Sequence, residues 1–183
     1  MNTLYFLVQQ TMFFSIPLLI VALGGMFSER SGVVNIALEG IMIFGGFSGV
    51  LFINVAQNVW GMHGQGILLL ALLAAAATGV IVSLAHAYAA INMKADQVIS
   101  GTAINMLAPA FAIYVAREIR TVQQIPFTNE FRIESVPVLG KIPVLGGLLF
   151  QNTYITTYLG FLILAAAWVV LYQTKFGLRL RAC

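Results

Sequence analysis

Glu39 is the one acid set well inside an apolar run of this 183-residue chain. Burying a charged carboxylate in a hydrocarbon medium is costly, so such a residue faces a bundle interior or a wet cavity, or it is protonated. Asn35 precedes it by four residues, and on a helix that spacing puts both on one face. The pair reads either as a polar patch on a solute pathway or as an internal hydrogen-bond network near a helix end. A second polar set lies in Asp96-Gln97-Val98-Ile99-Ser100-Gly101-Thr102-Ala103-Ile104-Asn105. Gln97, Gly101 and Asn105 recur at helical spacing, and Pro109 denies the Asn105 carbonyl its usual N–H donor. The freed carbonyl beside an amide side chain could meet a polar solute, or a neighbouring helix could satisfy it. Asp96 stands where an N-terminal cap is expected.

Other chemistry is excluded more easily. His63 and His86 are far apart in sequence and lack companion ligands, so no metal site is legible. His86 reads as a buried, hydrogen-bonded histidine or, alternatively, a proton carrier. Cys183 stands alone and cannot build a disulfide framework. There is no GxxxxGK[ST] loop and no dinucleotide fingerprint, so neither ATP nor another cofactor is expected to bind this chain by a known motif. No catalytic constellation is visible. The formal net charge of +3 is scattered, which leaves no basic patch for nucleic acid.

The elements that must position these residues follow from composition. The chain is 60% hydrophobic and 8% charged, against about 25% charged in soluble domains. Lipid is the solvent that suits such a chain, and lipid demands helices or a closed barrel. The apolar runs do not alternate with period two, which argues against a barrel. The predicted fold is an all-α polytopic transmembrane helical bundle of about five spans, at roughly 4–27, 33–55, 67–91, 97–116 and 153–172. The first run has no basic residue before it and is too long for a signal-peptide core, so it is expected to be a retained span. Residues 117–152 are charged and proline-bearing and read as the one long extramembrane loop. Its tail, 138–150, is apolar but too short to span, and is expected in the interface or dipping back beside other helices.

Arg30, Lys94 and the basic tail mark the cytoplasmic side by the positive-inside rule, which puts the N-terminus outside. Gly45 and Gly49 make a GxxxG spacing, and alanines 74 to 77 with Gly79 give the third span a small-residue face. Close helix packing explains both. Met42 and Met106 read as core filler.

Three stretches then fit one family. Phe27-Ser28-Glu29-Arg30-Ser31-Gly32-Val33-Val34-Asn35-Ile36-Ala37-Leu38-Glu39-Gly40 closely resembles the second-helix signature of ABC importer permeases of the branched-chain amino acid and simple-sugar type. Lys94 to Asn105 resembles the next signature of that family. Thr174-Lys175-Phe176-Gly177-Leu178-Arg179-Leu180-Arg181-Ala182-Cys183, on composition a basic topology anchor, resembles the start of its cytoplasmic coupling segment. Lys141-Ile142-Pro143-Val144-Leu145-Gly146 resembles the nucleoside or simple-sugar branch.

The resemblance implies a transport subunit of the bacterial inner membrane, not an enzyme. It would pair with a second, homologous permease, two ABC ATPase subunits that use the ATP, and a solute-binding protein. Transport would proceed by alternating access. By carry-over, Phe176, Gly177, Leu178, Arg179 and Arg181 begin the ATPase contact, and Asn35, Glu39, Ser100 and Asn105 lie near the pathway of a small polar solute, a nucleoside or simple sugar. Members of the family are considerably longer, so the expectation is a fragment or truncated form. Two other classes compete: a secondary carrier using Glu39 as a proton or ion site, and a non-transporting membrane interaction protein.

Overall fold

The computed structural model describes residues 2–32, 34–135 and 151–182. In chain order these form α1 (Asn2–Arg30), α2 (Leu38–Asn58), α3 (Gln65–Ile91), α4 (Gln97–Arg120), β1 (Arg132–Ser135), β2 (Gln151–Tyr154), α5 (Ile155–Gln173) and α6 (Lys175–Ala182). Among the described residues, five helices, all but α6, are long and apolar enough to cross a membrane. This is the polytopic, nearly all-α architecture expected from composition. The stretch 138–150, with Lys141 to Gly146 inside it, lies outside the described residues, as does Cys183.

The chain divides into two compact units. One comprises Val34–Glu130 and the other Met1–Val33 with Phe131–Cys183. In the first, α2 packs on α3 through small residues. A Cβ on Gly45 would sit 3.1 Å from the Ala75 carbonyl oxygen, and one on Gly49 would sit 3.3 Å from that of Ala71. Backbones this close gain dispersion contacts that larger side chains would prevent, the usual basis of helix association in lipid. The GxxxG pair and the alanine face therefore meet each other. The rings of Phe44 and Phe47 from α2 pack against Phe111 of α4, with centroids 5.5 and 6.3 Å away.

At the far end of α2 a strap of chain is fastened by side-chain amides. Asn54 Nδ2 donates to the Pro126 carbonyl at 2.6 Å. The Gln57 amide pairs with both backbone groups of Thr128, donating at 2.8 Å and accepting at 2.9 Å. His63 Nδ1 lies 3.1 Å from Glu130 Oε2 beside them. These bonds satisfy backbone groups that a loop would otherwise present to water.

In the other unit, α1 meets α5 where Gly160 leaves room for Ile16. The two strands pair antiparallel in the register Arg132 with Tyr154, Ile133 with Thr153 and Ser135 with Gln151. The Phe13 ring of α1 stacks at a tilt on Tyr154, 5.2 Å between centroids.

Each span leaves large apolar side chains outward, among them Leu73 (67% exposed), Ile81 (66%) and Met106 (72%), so Met106, like the partly exposed Met42, faces out of this chain and is not the core filler its sequence context suggested. Burying one such side chain is worth about 1.5–3 kcal/mol, so a water-facing surface of this kind could not persist. Lipid or other protein must cover it.

Local chemistry moves several element boundaries from those the sequence suggested. The first helix runs through Ser28, Glu29 and Arg30. It ends at Ser31 and Gly32, whose N–H groups donate to Ser28 and Glu29, with Gly32 at φ 78°. The second begins at Leu38 because Asn35 turns the chain first, its Oδ1 accepting from Ala37 N at 3.0 Å. Within 117–152, the described residues are the end of α4, the strap and the paired strands.

Candidate functional site

Ala37, at the N-cap of α2, has no side-chain acceptor for the first free N–H groups of the helix. A residue of α4 supplies it. Asn105 Oδ1 accepts from Gly40 N at 2.7 Å, and Asn105 Nδ2 donates to the Ile36 carbonyl at 2.7 Å. The approach needs two glycines. A Cβ on Gly40 would lie 2.8 Å from the Ile104 carbonyl oxygen and 2.9 Å from Asn105 Oδ1, and one on Gly101 would lie 3.1 Å from Ala37 N. Gly101 and Asn105 thus share the face of α4 that their spacing predicts, and that face is turned to α2. The Asn105 side-chain amide is thus engaged, through both its oxygen and its nitrogen, by the segment that starts α2.

Asn35 and Glu39 do not share a helix face, because Asn35 stands ahead of α2 in the turn that starts it. Glu39 is exposed in the first turn, where the positive end of the helix dipole favours a carboxylate. Ser100 Oγ lies 3.3 Å from His86 Nδ1, joining α3 to α4, and also reaches the Gln97 carbonyl at 3.4 Å. His86 is hydrogen-bonded but only half-buried, more exposed than the buried histidine that the sequence suggests. Asp96 caps α4, accepting from Val98 N at 2.7 Å and Ile99 N at 3.1 Å. Among the described residues no three His, Cys, Asp or Glu side chains gather closely enough to hold a metal.

The residues expected to couple to an ATPase fall in the other unit, on α6. Thr174 is the single residue between α5 and α6, and its hydroxyl serves both. It donates to the Val170 carbonyl at 2.6 Å, closing α5, and accepts from Gly177 N at 3.2 Å, capping α6. Gly177 packs on the end of α5, where a Cβ would fall onto the Leu171 carbonyl oxygen and lie 2.5 Å from that of Val170. Phe176 and Leu178 stand 58% and 61% exposed, and Arg179 is exposed too. Arg181 lies on the same helix.

One feature of this unit escaped the sequence reading. A cleft between the first half of α1, the two strands and the start of α5 is lined by Gln9, Gln10, Phe13, Arg132, Tyr154 and Thr157. Arg132 Nε donates to the Tyr154 hydroxyl at 3.1 Å, and its guanidinium carbon lies 5.6 Å from that ring's centroid. Thr153, also on the lining, pairs its buried hydroxyl with Tyr158 at 2.9 Å. The signal available in principle is the pair of adjacent glutamines inside an apolar run; Thr153 and Thr157 reach the cleft from different elements, β2 and α5.

These features define a multi-pass membrane protein whose polar residues sit at helix junctions, with a short helix, α6, following its fifth spanning helix. The family model described as branched-chain amino acid transport system / permease component matches residues 7–183. The chain belongs to that permease family. It is 39% identical over 181 residues to the nucleoside ABC transporter permease protein NupC of Lactococcus lactis, covering 99% of this chain and 56% of that protein. To the guanosine ABC transporter permease protein NupQ of Bacillus subtilis it is 44% identical over 178 residues, covering 96% of this chain and 54% of that one. A Haloferax volcanii relative, TsgC13, provisionally named a glucose ABC transporter permease protein, is 30% identical over 174 residues, 90% of this chain and 47% of its own length. The chain spans about half the length of the curated relatives it matches. No solved structure matches it.

Proposed function

We propose that this chain contributes spanning helices to the translocation pathway of an ATP-binding cassette importer that carries nucleosides across a bacterial inner membrane. The observation that carries this reading is identity of 39% and 44%, over nearly the whole chain, to two permeases named for nucleoside and guanosine. Its partners are ABC ATPase subunits, which hydrolyse the ATP, a second homologous permease and a solute-binding protein. Transport is alternating access, in which helices reorient around the solute when the ATPases close. In this reading α6 offers the ATPase contact, with Phe176, Leu178 and Arg179 exposed on it and Gly177 seating it against α5. A structural role for Asn105, Ser100 and Asn35 leaves Glu39 as the expected pathway residue with an exposed polar group.

The test is deletion of the gene in its own host, followed by uptake of labelled guanosine, uridine, ribose and leucine. Nucleoside uptake should be lost and leucine uptake kept. Unchanged nucleoside uptake, or a loss confined to ribose or leucine, would refute the assignment.

A further inference from the structure

We propose that residues 123–130 form a latched strap that closes one end of the groove between α2 and α4, and that Thr121 is the strained hinge on which it lifts. The device does not depend on which solute the permease carries.

The hinge is a conformation that its residue resists. Thr121 caps the end of α4 with φ at 61°, in the left-handed region. A β-branched side chain crowds the backbone there, and glycine or asparagine is the usual occupant. Such a residue persists only where its surroundings hold it. Its N–H donates to the Arg117 carbonyl at 2.8 Å, so the last turn of α4 is closed and the chain changes direction after it. Strain at this point favours any movement that lets Thr121 relax to ordinary φ.

Side chains of α2 and of the loop behind it hold the strap down. Gln57 grips Thr128 through both backbone groups, Asn54 reaches the Pro126 carbonyl, and His63 meets Glu130. Apolar burial adds little, since every residue of 123–130 except Ile125 is exposed. The His63–Glu130 pair is exposed as well, and such pairs contribute little. A segment held by side-chain hydrogen bonds, with little buried surface, belongs to the part of a fold that opens first.

Two spaces adjoin the strap and give it room to move. A notch of about 230 Å³ lies among Gln57, Asn58, Pro126, Phe127 and Thr128, at the latch itself. A groove of about 190 Å³ follows Phe47 and Val50 of α2 and Ala112 and Ala116 of α4, and is bounded at the strap by Gln123 and Ile125. Ala116 is 2% exposed with the strap shut. When the latch releases, Gln123 and Ile125 leave the groove and water reaches Ala116.

The experiment is hydrogen exchange read by mass spectrometry on the purified protein in lipid nanodiscs, together with maleimide labelling of Ala116→Cys made on a Cys183→Ser background. In the wild type, peptides covering 123–130 should be protected, yet exchange before the spanning helices do. Gln57→Met keeps length and removes both bonds to Thr128. Exchange over the strap and labelling at position 116 should then rise together by about fivefold, the equivalent of one ordinary hydrogen bond. Thr121→Asn fits the left-handed turn with less strain and should slow both by about threefold. Opposite signs mark a latch and a hinge; in a loop that is merely loose, Thr121→Asn would change nothing. Thr121 is exposed and lies beyond the end of α4, so Thr121→Asn decides the matter if Gln57→Met fails to fold. Wild-type exchange as fast as that of an unstructured peptide, labelling at position 116 that does not follow the strap, or Thr121→Asn that fails to slow exchange overturns the proposal.

Discussion

Asn105→Leu is the substitution that most directly probes how the Val34–Glu130 unit is held. It keeps volume and apolar character on α4 but removes both bonds to α2, leaving Gly40 N and the Ile36 carbonyl without their partner. Interhelical hydrogen bonds in membrane proteins average about 0.6 kcal/mol and reach about 1.7. An orphaned buried group costs about 1–3 kcal/mol, less where water can reach it. Two bonds of 2.7 Å therefore give an expected loss of about 2 kcal/mol. The assay is unfolding by SDS in mixed micelles, followed through tryptophan fluorescence. Met106→Ala, next to it in sequence, is the control, since the Met106 side chain is 72% exposed and its loss should cost under about 0.5 kcal/mol. A loss below about 0.5 kcal/mol for Asn105→Leu, or an equal loss in the control, would refute the interhelical cap.

Asp96→Ala removes the cap of α4 and should cost about 1 kcal/mol in the same unfolding assay, while Asp96→Asn should recover most of it. Gly177→Leu drives a side chain into the carbonyls that end α5, so α6 should detach; protease cleavage near Thr174 should accelerate and co-purification of an ATPase should fall. Glu39→Gln should leave ATP-dependent nucleoside uptake intact, because an importer driven by ATP needs no titrating carboxylate; loss of uptake with a changed proton dependence would favour a secondary carrier.

What could be read from the residues was what depends on near neighbours or on bulk composition. Hydrophobic runs give the spans, Asp96 announces its cap, and the Gly45–Gly49 spacing announces a tight crossing. The face shared by Gly101 and Asn105 was also legible, but its partner was not, since Asn105 and Gly40 are separated by 65 residues. Asn35 was placed on α2 because apolar sequence continues on both sides of it; its own side chain interrupts the helix by offering the backbone a competing acceptor. The strap at 123–130 and the paired strands stayed hidden for a related reason. The strap is bonded by Asn54 and Gln57 of α2, more than a helix away in sequence, the strands pair only with each other, and short polar segments carry no periodic signal. Gln9 and Gln10 looked unremarkable within an apolar run, and only the return of Arg132 and Thr157 alongside them makes a cleft.

The shared hydroxyl of Thr174 has a mechanical consequence. With one residue between α5 and α6, and that residue tied to both, the joint has no slack to absorb displacement. Movement of α6 is delivered to α5 as rotation of a stiff rod. At about 1.5 Å per residue, the 19 residues of α5 make a lever about 28 Å long. A tilt of about 10° at the elbow swings the opposite tip by about 5 Å, more than the length of a hydrogen bond. That tip carries Thr157 and follows directly on Tyr154, so a displacement at one end of the rod is felt among the side chains beside the paired strands at the other.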